Sequence, residues 1–78
     1  SSFTLELAPG TTIREMLDQV FETYGEPMIA EVMNEERTDL APYYKVLVNG
    51  RNSKLMHYMD TVLENGQVVH IMPPVAGG

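Results

Sequence analysis

The feature that most constrains this chain is a single amphipathic helix, marked at both ends and fixed within the first third of the sequence. Thr12 and Glu15 stand in capping-box spacing, where hydroxyl and carboxylate satisfy the orphan amides of a helix start. Ile13, Met16, Leu17, Val20, Phe21 and Tyr24 then recur at helical spacing on one face, and Gly25 with Pro27 beyond it ends the run. The pattern predicts a helix over residues 13–24. With 78 residues there is room for one core. A domain of this size buries only about 60% of its unfolded surface, so most of the remaining apolar residues must cover that one helix face.

The flanking segments supply the cover. Phe3-Thr4-Leu5-Glu6-Leu7 alternates apolar and polar and reads as a half-buried strand, stopped by Pro9-Gly10. Met28, Ile29, Val32 and Met33 suit a short second helix, and Glu35-Glu36-Arg37-Thr38-Asp39 a solvated turn. After Pro42, residues 43–48 are β-branched and aromatic, and Asn49-Gly50 is a strong two-residue hairpin signal. Residues 52–61 read as a short return strand and an irregular crossing. Asn65-Gly66 makes another turn, and residues 67–72 form the last strand before Pro73-Pro74. The sum is an α+β domain in which a sheet grasps one main helix.

Composition removes several functions. Without cysteine there is no disulfide framework, thiolate zinc site or cysteine nucleophile. His57 and His70 fall in no ligand-spaced cluster, so no metal is expected, and they read as ordinary surface residues. Ser53, Asp60 and Thr61 lack the arrangement of nucleophile, base and orienting group. Glu31, Glu35, Glu36 and Asp39 read as a solvated face. Eleven acidic against five basic residues give a net charge of −6, which disfavours nucleic acid and anionic membrane and suits a basic protein face. No apolar run approaches the roughly 20 residues of a membrane span, and no signal peptide is visible, so a cytoplasmic protein is expected.

Three stretches resemble a known family. They are Val46-Leu47-Val48-Asn49-Gly50-Arg51, then Thr61-Val62-Leu63-Glu64-Asn65-Gly66-Gln67-Val68-Val69, then Pro73-Pro74-Val75-Ala76-Gly77-Gly78. Together they resemble the MoaD/ThiS sulfur carriers, and the specificity of the likeness sits in the tail. Two departures stand out. Gln67 occupies a position where the family commonly has aspartate, and the strand at Phe3 looks like the family's second strand, with no first one found.

The resemblance implies a ubiquitin-like β-grasp fold with a mixed sheet. Residues 1–72 would form that domain, and residues 73–78 an extended flexible tail. It also implies a carrier rather than an enzyme, possessing no permanently bound cofactor, whose activating partner uses ATP. The reacting group would be the carboxylate of Gly78, adenylated by an enzyme of the ubiquitin-activating type and converted by a sulfur donor to a thiocarboxylate. Gly77, Ala76, Val75, Pro74, Pro73 and Met72 would form the tail and its partner contacts. The expected sulfur destination is molybdopterin, through a synthase large subunit; thiamin, tRNA thiolation and cysteine synthesis stand as alternatives. Rival readings are a protein modifier joined to lysines and a non-reactive β-grasp adaptor.

Residue chemistry supports a reactive tail independently. Prolines fix φ and favour extension, and glycines add no bulk. Six extended residues reach roughly 20 Å, enough to enter a partner's buried site. By strand alternation Val69 and Ile71 face the core, leaving Val68, His70 and Met72 outward. Leu55, Met56, Tyr58 and Met59 either extend that apolar surface or fill the core beneath the crossing.

Overall fold

The computed structural model describes residues 4–76. Helix α1 (Ile13–Tyr24) is followed by the short α2 (Glu26–Val32), then strands β1 (Lys45–Val48), β2 (Arg51–Asn52) and β3 (Val69–Met72). Two single-turn 3-10 helices, Ser53–Leu55 and Tyr58–Asp60, lie between β2 and β3.

The local signals account for α1 completely. The Thr12 hydroxyl accepts from the Glu15 amide at 3.2 Å, and a Glu15 carboxylate oxygen accepts from the Thr12 amide at 3.0 Å. A cap of this kind contributes about 1 kcal/mol. Gly25, at φ +75°, turns the chain out of α1 while its amide still donates to the Phe21 carbonyl. Pro27 sits in the first turn of α2, where its missing N–H costs nothing. Val32 of α2 is buried, and Met28 and Ile29 are half-buried, which realises the one-sided second helix.

The sheet has the order β2-β1-β3 and is antiparallel throughout its described strands. Asn49 and Gly50 both adopt left-handed φ, +49° and +80°, as the tight β1–β2 turn requires. Asn49 also ties that turn to the start of β3. Its amide donates to the Val68 carbonyl, and its side-chain oxygen accepts from the Val68 amide, each at 2.8 Å.

Two expectations are corrected. The alternation at Phe3-Thr4-Leu5-Glu6-Leu7 does not become a strand among the described residues, and Phe3 lies outside them. Leu5 and Leu7 are half-buried and pack on the core while Thr4 and Glu6 point outward. The two-sided pattern is therefore real, but no neighbouring strand completes a ladder with it. For the same reason the sheet is antiparallel rather than mixed: no strand precedes α1 among the described residues, and β3 lies at a sheet edge.

The core lies between α1 and the inner sheet face. Ile13, Met16 and Leu17 of α1 cluster with Val46 and Val48 of β1, with Val32, Leu40, Met59 and Leu63 closing the ends, and Val20 is buried as well. Each such side chain contributes about 1.5–3 kcal/mol on burial. The helix start is pinned from the far end of the chain: the Ile13 amide donates to the Thr61 carbonyl at 3.0 Å, and the Leu63 amide to the Thr11 carbonyl at 2.8 Å. The result is an α+β grasp of sheet on helix, with the end of β3 projecting the tail.

Candidate functional site: the tail and its root

β3 pairs with β1 in the register Val48↔Val69, Leu47↔His70, Val46↔Ile71 and Lys45↔Met72. Alternation puts Val46, Val48, Val69 and Ile71 on the inner face and Lys45, Leu47, His70 and Met72 on the outer one. The outward placement of Val68, His70 and Met72 thus agrees with the sequence; Val68 is 56% exposed and Met72 37%. Pro73 and Pro74 carry no N–H, so neither can extend β3's donor row, and pairing stops at Met72. From there Pro73, Pro74, Val75 and Ala76 are all exposed, Val75 at 72%. Gly78, the expected reacting position, and Gly77 before it lie outside the described residues.

The four residues of the crossing divide. Met59 is buried in the core, Met56 and Tyr58 are half-buried, and Leu55 is 68% exposed. Met56, Tyr58 and Met59 pack with the core, which leaves Leu55 as the exposed one of the four. His57 and His70 are exposed, and among the described residues no group of three histidine, aspartate or glutamate side chains is placed to hold a metal. No helix among them is long and apolar enough to cross a membrane.

Sequence reasoning missed the ground beside the tail's root. At the start of β1, opposite the end of β3, an open groove of about 430 Å³ is lined by Tyr43, Tyr44, Lys45, Lys54, Tyr58 and Asp39, among others. The Tyr58 hydroxyl donates to Asp39 at 2.6 Å, and the Lys54 ammonium lies 5.9 Å from the centre of the Tyr58 ring. Tyr44 donates to Glu31 at the rim. One long-range tyrosine–carboxylate contact, Tyr58 to Asp39, lies within this groove, and a second ties its Tyr44 to Glu31; only the abundance of tyrosine nearby hinted at it.

These contacts leave a mark on ionisation. Burial, then the bond to Asp39, pushes the Tyr58 phenol up to about 12. The bond to Glu31, aided by burial, does the same for Tyr44. The Tyr58 hydroxyl holds the Asp39 carboxyl below its usual value, against an opposing effect of burial. Raised phenol values mean that the folded state holds protons that the unfolded state releases from about pH 10. The associated stability is intact below pH 10 and is lost as pH rises from about 10 to about 12. Thermal melts across this window should therefore show Tm falling. A Tyr44→Phe/Tyr58→Phe variant should fall less steeply, whereas parallel curves would contradict the assigned contacts.

The chain matches the ThiS family over residues 2–78. It is 28% identical over 67 residues to a protein of Archaeoglobus fulgidus named "Putative sulfur carrier protein", covering 86% of this chain and 74% of that one. It is 42% identical over 43 residues to "Small archaeal modifier protein 3" of Haloferax volcanii, covering 55% of this chain and 47% of that relative. The chain thus spans about half the length of the second relative in the matched region. No solved structure matches it. The family match runs through helix, hairpin, β3 and tail alike, and on it the chain belongs to the ThiS family, whose fold is the ubiquitin-like β-grasp.

Proposed function

We propose that this chain carries sulfur as a thiocarboxylate on Gly78. A ThiS-family chain is a small carrier and not itself a catalyst, so its partners supply the catalysis. The observation that carries the reading is Pro73-Pro74-Val75-Ala76-Gly77-Gly78 following directly on β3, exposed from Pro73 through Ala76, in a chain matched by that family from residue 2 to 78.

A carboxylate is a poor electrophile and needs a leaving group. In the proposed sequence, a Gly78 carboxylate oxygen attacks the α-phosphorus of ATP, expelling pyrophosphate and forming an acyl-adenylate. A sulfide-equivalent donor then attacks the carbonyl carbon, and AMP leaves with the bonding electron pair. The domain's part is to hold the tail clear of the sheet and to offer the surface at its root to an activating enzyme. Molybdopterin, formed with a synthase large subunit as acceptor, is the destination we favour, and a cytoplasmic setting suits the ATP requirement. Thiamin and tRNA thiolation use the same loaded carrier.

A second reading is that the activated tail joins lysines of target proteins, and the modifier name of the Haloferax volcanii relative favours keeping it. Both readings share the adenylate and part at the nucleophile.

The test is intact mass after incubation with ATP, a sulfide donor and a cognate activating enzyme. The wild-type chain is expected to gain the difference between sulfur and oxygen, and a chain lacking Gly78 to gain nothing. Lysine-linked adducts without any sulfur gain would instead support the modifier. Neither product, from an enzyme active on its own carrier, would leave a non-reactive adaptor.

A further inference from the structure

We infer that Asn65 is a site of self-modification: the Gly66 amide closes on its side chain, ammonia leaves, and water opens the ring to isoaspartate or aspartate. The inference is independent of the carrier reading and concerns the turn that leads into β3.

The chain holds two Asn-Gly pairs, Asn49-Gly50 and Asn65-Gly66. In such a pair the backbone nitrogen reaches the preceding carboxamide with least hindrance, because glycine has no Cβ. Both pairs lie in exposed turns, and both glycines take positive φ, +80° and +82°. Exposure and residue type therefore do not separate them. Hydrogen bonding does.

Asn49 is held on two sides. Its side-chain oxygen accepts from the Val68 amide and its own amide donates to the Val68 carbonyl, each at 2.8 Å. The strand pair Val48↔Arg51 closes the hairpin directly around Asn49-Gly50. Swinging the Asn49 carboxamide onto the Gly50 nitrogen breaks the bond from Val68 and strips that amide of its partner.

Asn65 has no such anchor. Its turn is closed by the Gln67 amide donating to the Glu64 carbonyl at 3.2 Å, and by the Gln67 side-chain oxygen accepting from the Glu64 amide at 2.8 Å. Neither bond touches the Asn65 side chain or the Gly66 amide, and among the described residues neither group has a hydrogen-bond partner. No strand pair flanks the turn, since β3 begins at Val69. Nothing lies within 4 Å of the place a Gly66 Cβ would occupy, so the approach is open. The reacting atoms meet by rotation within one exposed turn.

In the first step a solvent base takes the Gly66 amide proton while the nitrogen attacks Asn65 Cγ. The new C–N bond closes a succinimide ring. The Cγ–Nδ2 bond breaks with its electron pair on nitrogen, which takes a proton and leaves as ammonia. Water then adds to one ring carbonyl, and that carbon's bond to the ring nitrogen breaks. One water enters and one ammonia leaves, with no oxidant or reductant. Opening at Cγ gives aspartate, and opening at the main-chain carbonyl gives isoaspartate, whose backbone runs through the former side chain. Either product adds a negative charge beside Glu64 to a chain already at −6. Isoaspartate also lengthens the chain between Glu64 and Gln67 by one carbon, which misaligns the 3.2 Å bond that closes the turn.

The experiment incubates the full chain in mildly alkaline buffer at physiological temperature and follows both sites by peptide mapping. Enzymatic methylation of isoaspartyl carboxylates reports the isomer. Asn65 should react at least about fivefold faster than Asn49, the ratio that one net hydrogen bond sustains. An Asn65→Ser chain should lack the early product. In concentrated urea the two rates should come within about twofold, because both pairs then present the same unhindered glycine. Equal rates in the folded chain, Asn49 reacting first, or an inert Asn65 in a chain that reacts once unfolded would each overturn the site. A fivefold ratio that survived in urea would overturn it as well, since sequence and not the fold would then set the difference.

Discussion

Val46→Asp yields a chain that does not fold. Val46 is 1% exposed at the centre of β1, the middle strand of the described sheet, and packs with Ile13, Leu17 and Val48 in the one core the domain has. Placing a carboxylate there either buries a charge without a partner or forces it to protonate at a cost of several kcal/mol. The valine's own burial, about 1.5–3 kcal/mol, is lost as well. At 0.05–0.15 kcal/mol per residue, a domain of this length has about 4–12 kcal/mol of stability in total. The two losses together reach that range. The variant should therefore give a disordered far-ultraviolet circular dichroism spectrum and collapsed amide dispersion by NMR at 25 °C. His70→Asp is the matched control, since His70 is exposed on the outer face of β3. It should keep a native spectrum. A folded Val46→Asp chain, or an unfolded His70→Asp one, would mean that the two faces of the sheet had been misassigned.

The same alternation shows why parts of this fold are legible in the sequence and others are not. α1 is specified by neighbours: cap, apolar stripe and terminating glycine all lie between Thr12 and Gly25, and the structure places the helix at Ile13–Tyr24. The β1–β2 turn is equally local, because Asn49 and Gly50 are the residues that adopt positive φ most readily. Leu5 and Leu7 show the limit. Their period-two pattern correctly marks which side packs inward, but a strand also needs hydrogen-bonding partners, and those come from elsewhere in space. Alternation gives a face; it does not give a neighbour.

The candidate site divides in the same way. The proposed tail is legible because the chemistry expected of it lies in consecutive residue types, two prolines after which pairing stops and two glycines without bulk. The groove is not. Asp39 and Tyr58 are 19 positions apart, and Tyr44 and Glu31 are 13 apart. Tyr43 and Tyr58 both take left-handed backbone angles that their residue type argues against. Met59 was ambiguous for a related reason: no helical or strand period runs through a crossing built from single 3-10 turns, so inward and outward residues cannot be sorted by spacing.

Gly77→Leu separates a reactive tail from a passive one most sharply. The residue follows in sequence an exposed run, with Val75 72% exposed and Pro73, Pro74 and Ala76 also exposed, so the substitution is expected to leave the core unchanged. Thermal stability should stay within about 0.5 kcal/mol of wild type, as for a surface change touching no special feature. Carrier chemistry makes the opposite demand. The Gly78 carboxylate must reach in-line geometry with the α-phosphorus of ATP at the end of a threaded segment. A branched side chain one residue behind it adds bulk and closes the backbone angles that only glycine reaches freely. A misplacement of about 1 Å costs on the order of a hundredfold in rate. Sulfur loading followed by intact mass should therefore slow at least about a hundredfold in Gly77→Leu, with Tm unchanged. Loading at the wild-type rate would show that the tail is not threaded through a narrow channel, and the reaction would then depend on the terminal carboxylate alone. If binding to a partner persisted undiminished while neither chain was ever loaded, the domain would act through its sheet, and the tail would carry no chemistry.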